Sequence, residues 1–140
     1  MKKILYKSSM PTAKEWKELR SYVKWTIYED DIFQIASKNT LYAISVYDSD
    51  KIIGMGRVIG DGIICFYIQD VVVHPMYQSQ GIGKKIVLQL MKWIKEHSKN
   101  NSVIGLMASK GCEKFYEKLG FVQRPNSKMG AGMVYLNKKY

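Results

Sequence analysis

The sequence predicts a mixed α/β (α+β) fold: a mixed sheet with helices packed on it. Three observations predict it. Apolar residues recur at helical spacing in 12–26 and 81–97. Three β-patterned runs fill the middle of the chain, separated by short turns rich in Gly, Asp and Ser. The apolar period switches from strand to helix at residue 81.

Taken in order, "KILYKS" (3–8) reads as a first strand. "TAKEWKELRSYVKWT" (12–26) reads as a helix, with Thr12 as cap, Glu15 three residues on, and Trp16, Leu19 and Val23 on one face. A second, shorter helix or an irregular helical turn is expected over 28–39, where the acids at 29–31 suit a helix N-terminus. Strands follow at 41–47, 52–59 and 64–73, with turns at "DSDK" (48–51) and "GDG" (60–62). The third of these is apolar on both faces, which predicts a central position in the sheet, and Pro75 ends it. The helix over 81–97 has lysines opposite its apolar stripe. A strand at 102–108, a helix at 110–120 stopped by Gly120, and final strands at 121–124 and 132–138 complete the order β-α-α-β-β-β-α-β-α-β-β.

Length and composition narrow the class. The 140 residues suit a single domain spanning 1–140. No apolar run reaches the roughly 18 residues of a membrane span, and the N-terminus has no apolar signal region. Cys65 and Cys112 have no metal spacing, so no metal is expected and the chain reads as reduced and cytoplasmic. A net charge of +10, half of it within 81–118, favours an anionic ligand.

The stretch "YQSQGIGKK" (77–85) lies between a buried strand and an amphipathic helix. A helix N-terminus offers unpaired N–H groups and partial positive charge. Gly81 and Gly83 let an anion approach the backbone, and Lys84 and Lys85 add charge, so this is a candidate phosphate site. The P-loop spacing is absent, and so is the third glycine of the dinucleotide fingerprint, since residue 86 is isoleucine.

Gln78-x-x-Gly81-x-Gly83 resembles the acetyl-CoA signature of the GNAT N-acetyltransferase superfamily, Gln/Arg-x-x-Gly-x-Gly/Ala. Downstream, "FYEKLGF" (115–121) resembles that superfamily's Tyr-x-Lys-x-Gly-Phe block. The resemblance implies the GNAT fold: a central mixed, mostly antiparallel sheet of six or seven strands, splayed at its fourth and fifth, flanked by about four helices. It implies acetyl transfer from acetyl-CoA to a primary amine by direct attack in a ternary complex.

It also implies roles, residue by residue. The backbone N–H groups of Ser79, Gln80, Gly81, Ile82, Gly83 and Lys84 would hold the pyrophosphate, and Gln78 would begin their loop. Val71, Val72 and Val73 would pair with the pantetheine arm, an N–H there holding the thioester oxygen. Tyr116 stands at the general-acid position. Asp70 is either a base for the amine, a task a water chain could also perform, or a structural carboxylate capping a nearby turn or paired with a lysine, because a buried acid in "FYIQDVVV" needs a task or a partner. Gln69 is a candidate acceptor contact, and His74 a candidate proton relay. Ser109 stands where many members carry asparagine and would donate a shorter-reaching hydrogen bond to CoA. One of Lys110, Lys114 and Lys118 would meet the 3′-phosphate, with Lys118 our assignment.

The acceptor is a small amine or a peptide amine. The same blocks resemble those of glucosamine-6-phosphate N-acetyltransferases, which makes an amino-sugar phosphate one candidate, although Gln69 stands where that group has an acid. A basic nucleic-acid or ribosome-associated module is the rival class, but the aromatics do not cluster in one basic stretch. A CoA-binding domain without catalysis is a third reading, and Tyr116 argues against it. No membrane partner is expected, and a homodimer exchanging C-terminal strands is compatible with this fold.

Overall fold

The computed structural model describes residues 2–138. The chain divides into two compact units, Met1–Leu106 and Met107–Tyr140. The first holds a five-stranded sheet in the order β1-β2-β3-β4-β5: β1 (Ile4–Lys7), β2 (Tyr42–Asp48), β3 (Lys51–Gly60), β4 (Cys65–Val73) and β5 (Val103–Gly105). The first three pairings are antiparallel, and β4 with β5 is parallel.

The sheet begins with short turns that the sequence encodes. Ser49 takes a left-handed conformation (φ 54°) between β2 and β3. In the next turn the Asp61 carboxylate accepts from the N–H groups of Ile63, Ile64 and Cys65, closing β3 onto β4. These contacts hold the Asp61 carboxyl below its ordinary pKa.

Two helices cover one face. In α1 (Ala13–Tyr22), Thr12 and Glu15 form the expected reciprocal cap. In α2 (Asp30–Lys38), Asp30 and Asp31 occupy the first turn. Trp16, Leu19 and Phe33 bury against Ile52, Met55 and Val72 of the sheet. On the other face, α3 (Ile82–His97) buries Ile82, Ile86, Val87, Leu90 and Ile94, each burial contributing ~1.5–3 kcal/mol. Trp93 stacks between Tyr42 and His97.

Glycines in β3 seat α3. A Cβ on Gly56 would lie 2.6 Å from Ile86 Cγ2 and 3.0 Å from Leu90 Cδ1. One on Gly54 would lie 3.3 Å from Ile86 Cδ1. The helix approaches the sheet this closely because those positions carry no side chain.

Two expectations about strands change. β4 is interior but not central: it lies between β3 and the short edge strand β5. Residues 121–124 and 132–138 form no strand, so the described residues hold five strands rather than six or seven. Met133, Val134, Tyr135 and Leu136 are all exposed. A strand exists only where a neighbour takes its backbone hydrogen bonds, which a β-type sequence cannot supply alone.

The second unit contains one short helix, α4 (Glu113–Glu117). Gly120 follows it at φ 97°, and the Phe121 N–H closes back on the Tyr116 carbonyl at 3.1 Å. The expected helix over 110–120 is thus trimmed at both ends.

Candidate active site

Strand β4 carries a bulge. Met55 faces Val72 and Arg57 faces Gln69, so β4 has one more residue than β3 between those pairs. The irregular residue is Asp70, which takes φ 53° although it is not glycine. Gln69, opposite Arg57, and Val72, opposite Met55, face α1 and α2, and Asp70 does too, since it contacts Arg20 of α1.

Asp70 is 5% exposed and meets two guanidiniums. Its Oδ1 accepts from Arg20 Nη1 at 2.5 Å, and its Oδ2 accepts from Arg57 Nε at 2.9 Å. Arg20 also donates to the Thr26 carbonyl, and Arg57 to Thr40 Oγ1. The structure therefore shows the ion-pairing alternative for Asp70, with arginines in place of a lysine. Both carboxylate oxygens are engaged by guanidinium donors. A non-glycine residue at this φ costs on the order of 1–3 kcal/mol, and it persists where surrounding contacts over-determine it. The two arginines supply such contacts.

Past the bulge, β4 runs to Val73 with β3 on one side. On the other side its ladder with β5 ends at the Tyr67–Gly105 pair. Residues 68–73 thus have no strand beside them there among the described residues, as a sheet splayed after this point requires. Gln69 Oε1 accepts from the Asp70 N–H at 3.3 Å, a local contact.

The chain then turns through a 3-10 segment at Pro75–Tyr77. His74 is 7% exposed, and its Nδ1 accepts from the Met76 N–H. Burial first, then the nearby Lys51, push its pKa below 6.5, with Glu18 opposing. Gln78 donates its side-chain amide to the Val73 carbonyl at 3.0 Å, tying the loop to the end of β4. Ser79 (φ 62°) and Gly81 (φ 82°) take left-handed conformations, and Gly81 caps α3. Gly83 is helical and lies within the first turn.

The N–H groups of residues 79–84 have no acceptor among the described residues; the first bond of the helix runs from Lys85 to the Gly81 carbonyl. No acid lies in the first turn of α3. A Cβ on Gly81 would meet no atom within 4 Å, so the approach is open. Six free donors, a helix N-terminus and a rim lysine can hold a diphosphate. Lys84 is exposed at that rim, while Lys85 lies over the Tyr6 ring, 4.2 Å from its centre.

In the second unit, Tyr116 is half-buried, with Phe115 and Phe121 edge-on to its ring. Burial, and then the neighbouring Cys112, push its hydroxyl up to about 12. Lys118 is exposed just after α4, and the Ser109 carbonyl accepts from the Cys112 N–H.

Among the described residues, no group of three or more His, Cys, Asp or Glu side chains could hold a metal ion. No helix of the described chain is long and apolar enough to cross a membrane. A cleft of about 350 Å³ opens between the start of α1 and α2, lined by Thr12 and Phe33 but by none of the candidate catalytic or CoA-binding residues.

Arg20 and Arg57 were missed in the sequence. Arg57 did leave a signal: it is the one charge in "IIGMGRVI", just as Asp70 is the one charge in "FYIQDVVV". Two lone opposite charges in neighbouring apolar strands predict a buried pair.

A bulged strand leading into a glycine-capped helix with six N–H donors unpaired among the described residues makes a turn suited to a phosphate anion. The chain belongs to the GNAT acetyltransferase family: the model of the acetyltransferase (GNAT) domain matches residues 11–139, across both units. The uncharacterized N-acetyltransferase ycf52 of Pyropia yezoensis is 32% identical over 120 residues, covering 83% of this chain and 68% of that protein. Similar relatives from Prochlorococcus marinus and Gracilaria tenuistipitata are spanned over 63% and 54% of their length. A solved structure of a probable acetyltransferase from meticillin-resistant Staphylococcus aureus matches with TM-score 0.86 at 30% identity, covering 96% of this chain and 100% of that one. Glucosamine-6-phosphate N-acetyltransferase from Arabidopsis thaliana matches with TM-score 0.66 over 99% of both chains. Its 20% identity shows the fold alone.

Proposed function

We propose that the protein transfers an acetyl group from acetyl-CoA to a primary amine, and that its two units act as one domain. The observation that carries this reading is the set of six unpaired N–H groups at residues 79–84. They are the donors a CoA pyrophosphate requires, and the pantetheine arm would run along residues 71–73 from there. The amine nitrogen bonds to the acetyl carbon, the carbon–sulfur bond breaks, and the departing thiolate takes a proton, a donor role assigned to Tyr116 on the family motif. A β4 N–H at or beside Val72 receives the thioester oxygen as charge develops. With Asp70 committed to two arginines, the amine proton leaves to water, and Asp70 serves to hold the bulge. Ser109 and Lys118 are assigned to the CoA moiety on the family motif.

Isothermal titration with acetyl-CoA tests the reading. Saturable binding below millimolar concentration is expected, weakened in Gly81→Val, whose side chain would stand in the path of the phosphate. Absence of binding by the unaltered protein would overturn the proposal.

A further inference from the structure

We infer that Arg20 and Arg57 form an anion-recognition site for the acceptor, so that the amine acetylated here also carries a phosphate or carboxylate group. The inference rests on the acetyl-transfer reading and goes further, to the substrate class. Two guanidiniums converge on one carboxylate, leaving a net charge of +1 in a place where the arginine side chains are only 15% and 14% exposed. Excess charge so poorly hydrated is unfavourable unless an anion arrives to meet it.

The donors for that anion are present. Arg20 uses Nε and Nη1, and so does Arg57; neither Nη2 has a partner among the described residues. Of the buried side-chain nitrogens and oxygens described, the Trp16 indole N–H alone lacks a partner. Both Nη2 groups therefore reach solvent. Asp70 has already fixed the two planar forks, so little side-chain entropy remains to be lost on binding.

The placement suits an acceptor. The pair lies on the α1–α2 face of the bulge, beside residues 71–73, where the thioester is proposed to sit. Trp25 and Tyr28, whose ring centres lie 5.4 and 5.9 Å from the Arg20 guanidinium, form an aromatic wall. Of the α2 acids, Asp30 pairs with Lys17 and Asp31 accepts from the Ile32 N–H, and neither pairs with Arg20 or Arg57. Free guanidinium N–H pairs select phosphate or carboxylate by planar, charge-assisted hydrogen bonding.

The test uses NMR of the intact protein, following the side-chain Nε–H signals of Arg20 and Arg57, with and without CoA. The probes are O-phosphoethanolamine, β-alanine and ethanolamine. Saturable shifts with either anionic amine, at a half-saturating concentration at least about 10-fold below that of ethanolamine, are expected. No saturable shift with either, or an equal response to ethanolamine, would overturn the inference. Arginine shifts without CoA binding would keep the anion site and remove the acetyl-transfer reading. CoA binding without arginine shifts would do the reverse.

Discussion

Tyr116 and His74 are two site residues whose ionisation the fold alters. A hydroxyl pushed up to about 12 stays protonated at neutral pH, which is the state a proton donor needs. Tyr116→Phe should keep CoA affinity and lower kcat on the order of 100-fold. An unchanged kcat, with chemistry shown to limit the rate, would take the tyrosine out of that role. For His74 the folded pKa is depressed, so the unfolded chain binds the proton more readily. Stability from this group is full above about pH 6.5 and is lost as pH falls through the folded value. Urea unfolding at pH 7.5 and pH 5 should show a larger loss for the unaltered protein than for His74→Gln. Equal losses would show that another group sets the acid limb. Tyr116 was legible as a residue because its block is contiguous in sequence. Arg20 was not, since its partner lies 50 positions away and only packing brings them together.

At the scale of elements, the turn 77–83 depends on where α3 sits, and α3 sits on the bare backbone of Gly54 and Gly56. Gly56→Ala should destabilise the protein by ~1–3 kcal/mol, because Ile86 and Leu90 must shift. It should also weaken CoA binding, since the helix carries the phosphate donors. A denaturation midpoint that does not move would show that α3 can back away without loss. The amphipathic pattern foretold α3 and its buried stripe. The two glycines read as strand residues in sequence, and their part as a seat emerges only when the facing side chains are in place. The bulge at Asp70 was equally hidden: a register shift is a relation between two strands, and neither strand states it alone.

For the whole molecule, a net charge of +10 should strengthen association with the polyanionic CoA. Raising salt from about 50 to about 500 mM should weaken CoA binding by screening. The melting temperature should climb with CoA concentration, with ~2.7 kcal/mol of added stability at 100 times Kd. A melting temperature indifferent to millimolar CoA would contradict the proposed function. The element order through α4 follows from local pattern, which is why β1 to β4 and α1 to α3 fall within a few residues of expectation. The strands expected at 121–124 and 132–138 fail for the opposite reason: they need partners, and sequence pattern does not specify partners.

By itself, then, the sequence determined what depends on neighbours along the chain: periodicity, caps, turns, and the spacing of Gln78, Gly81 and Gly83. The tertiary structure alone decided what depends on neighbours in space. It paired Asp70 with two arginines, ended the β4–β5 ladder at Tyr67, and left six N–H groups at 79–84 without acceptors among the described residues. Hydrogen bonds and ion pairs are satisfied by whatever the fold brings within about 3 Å, and that proximity is not written in the order of residues.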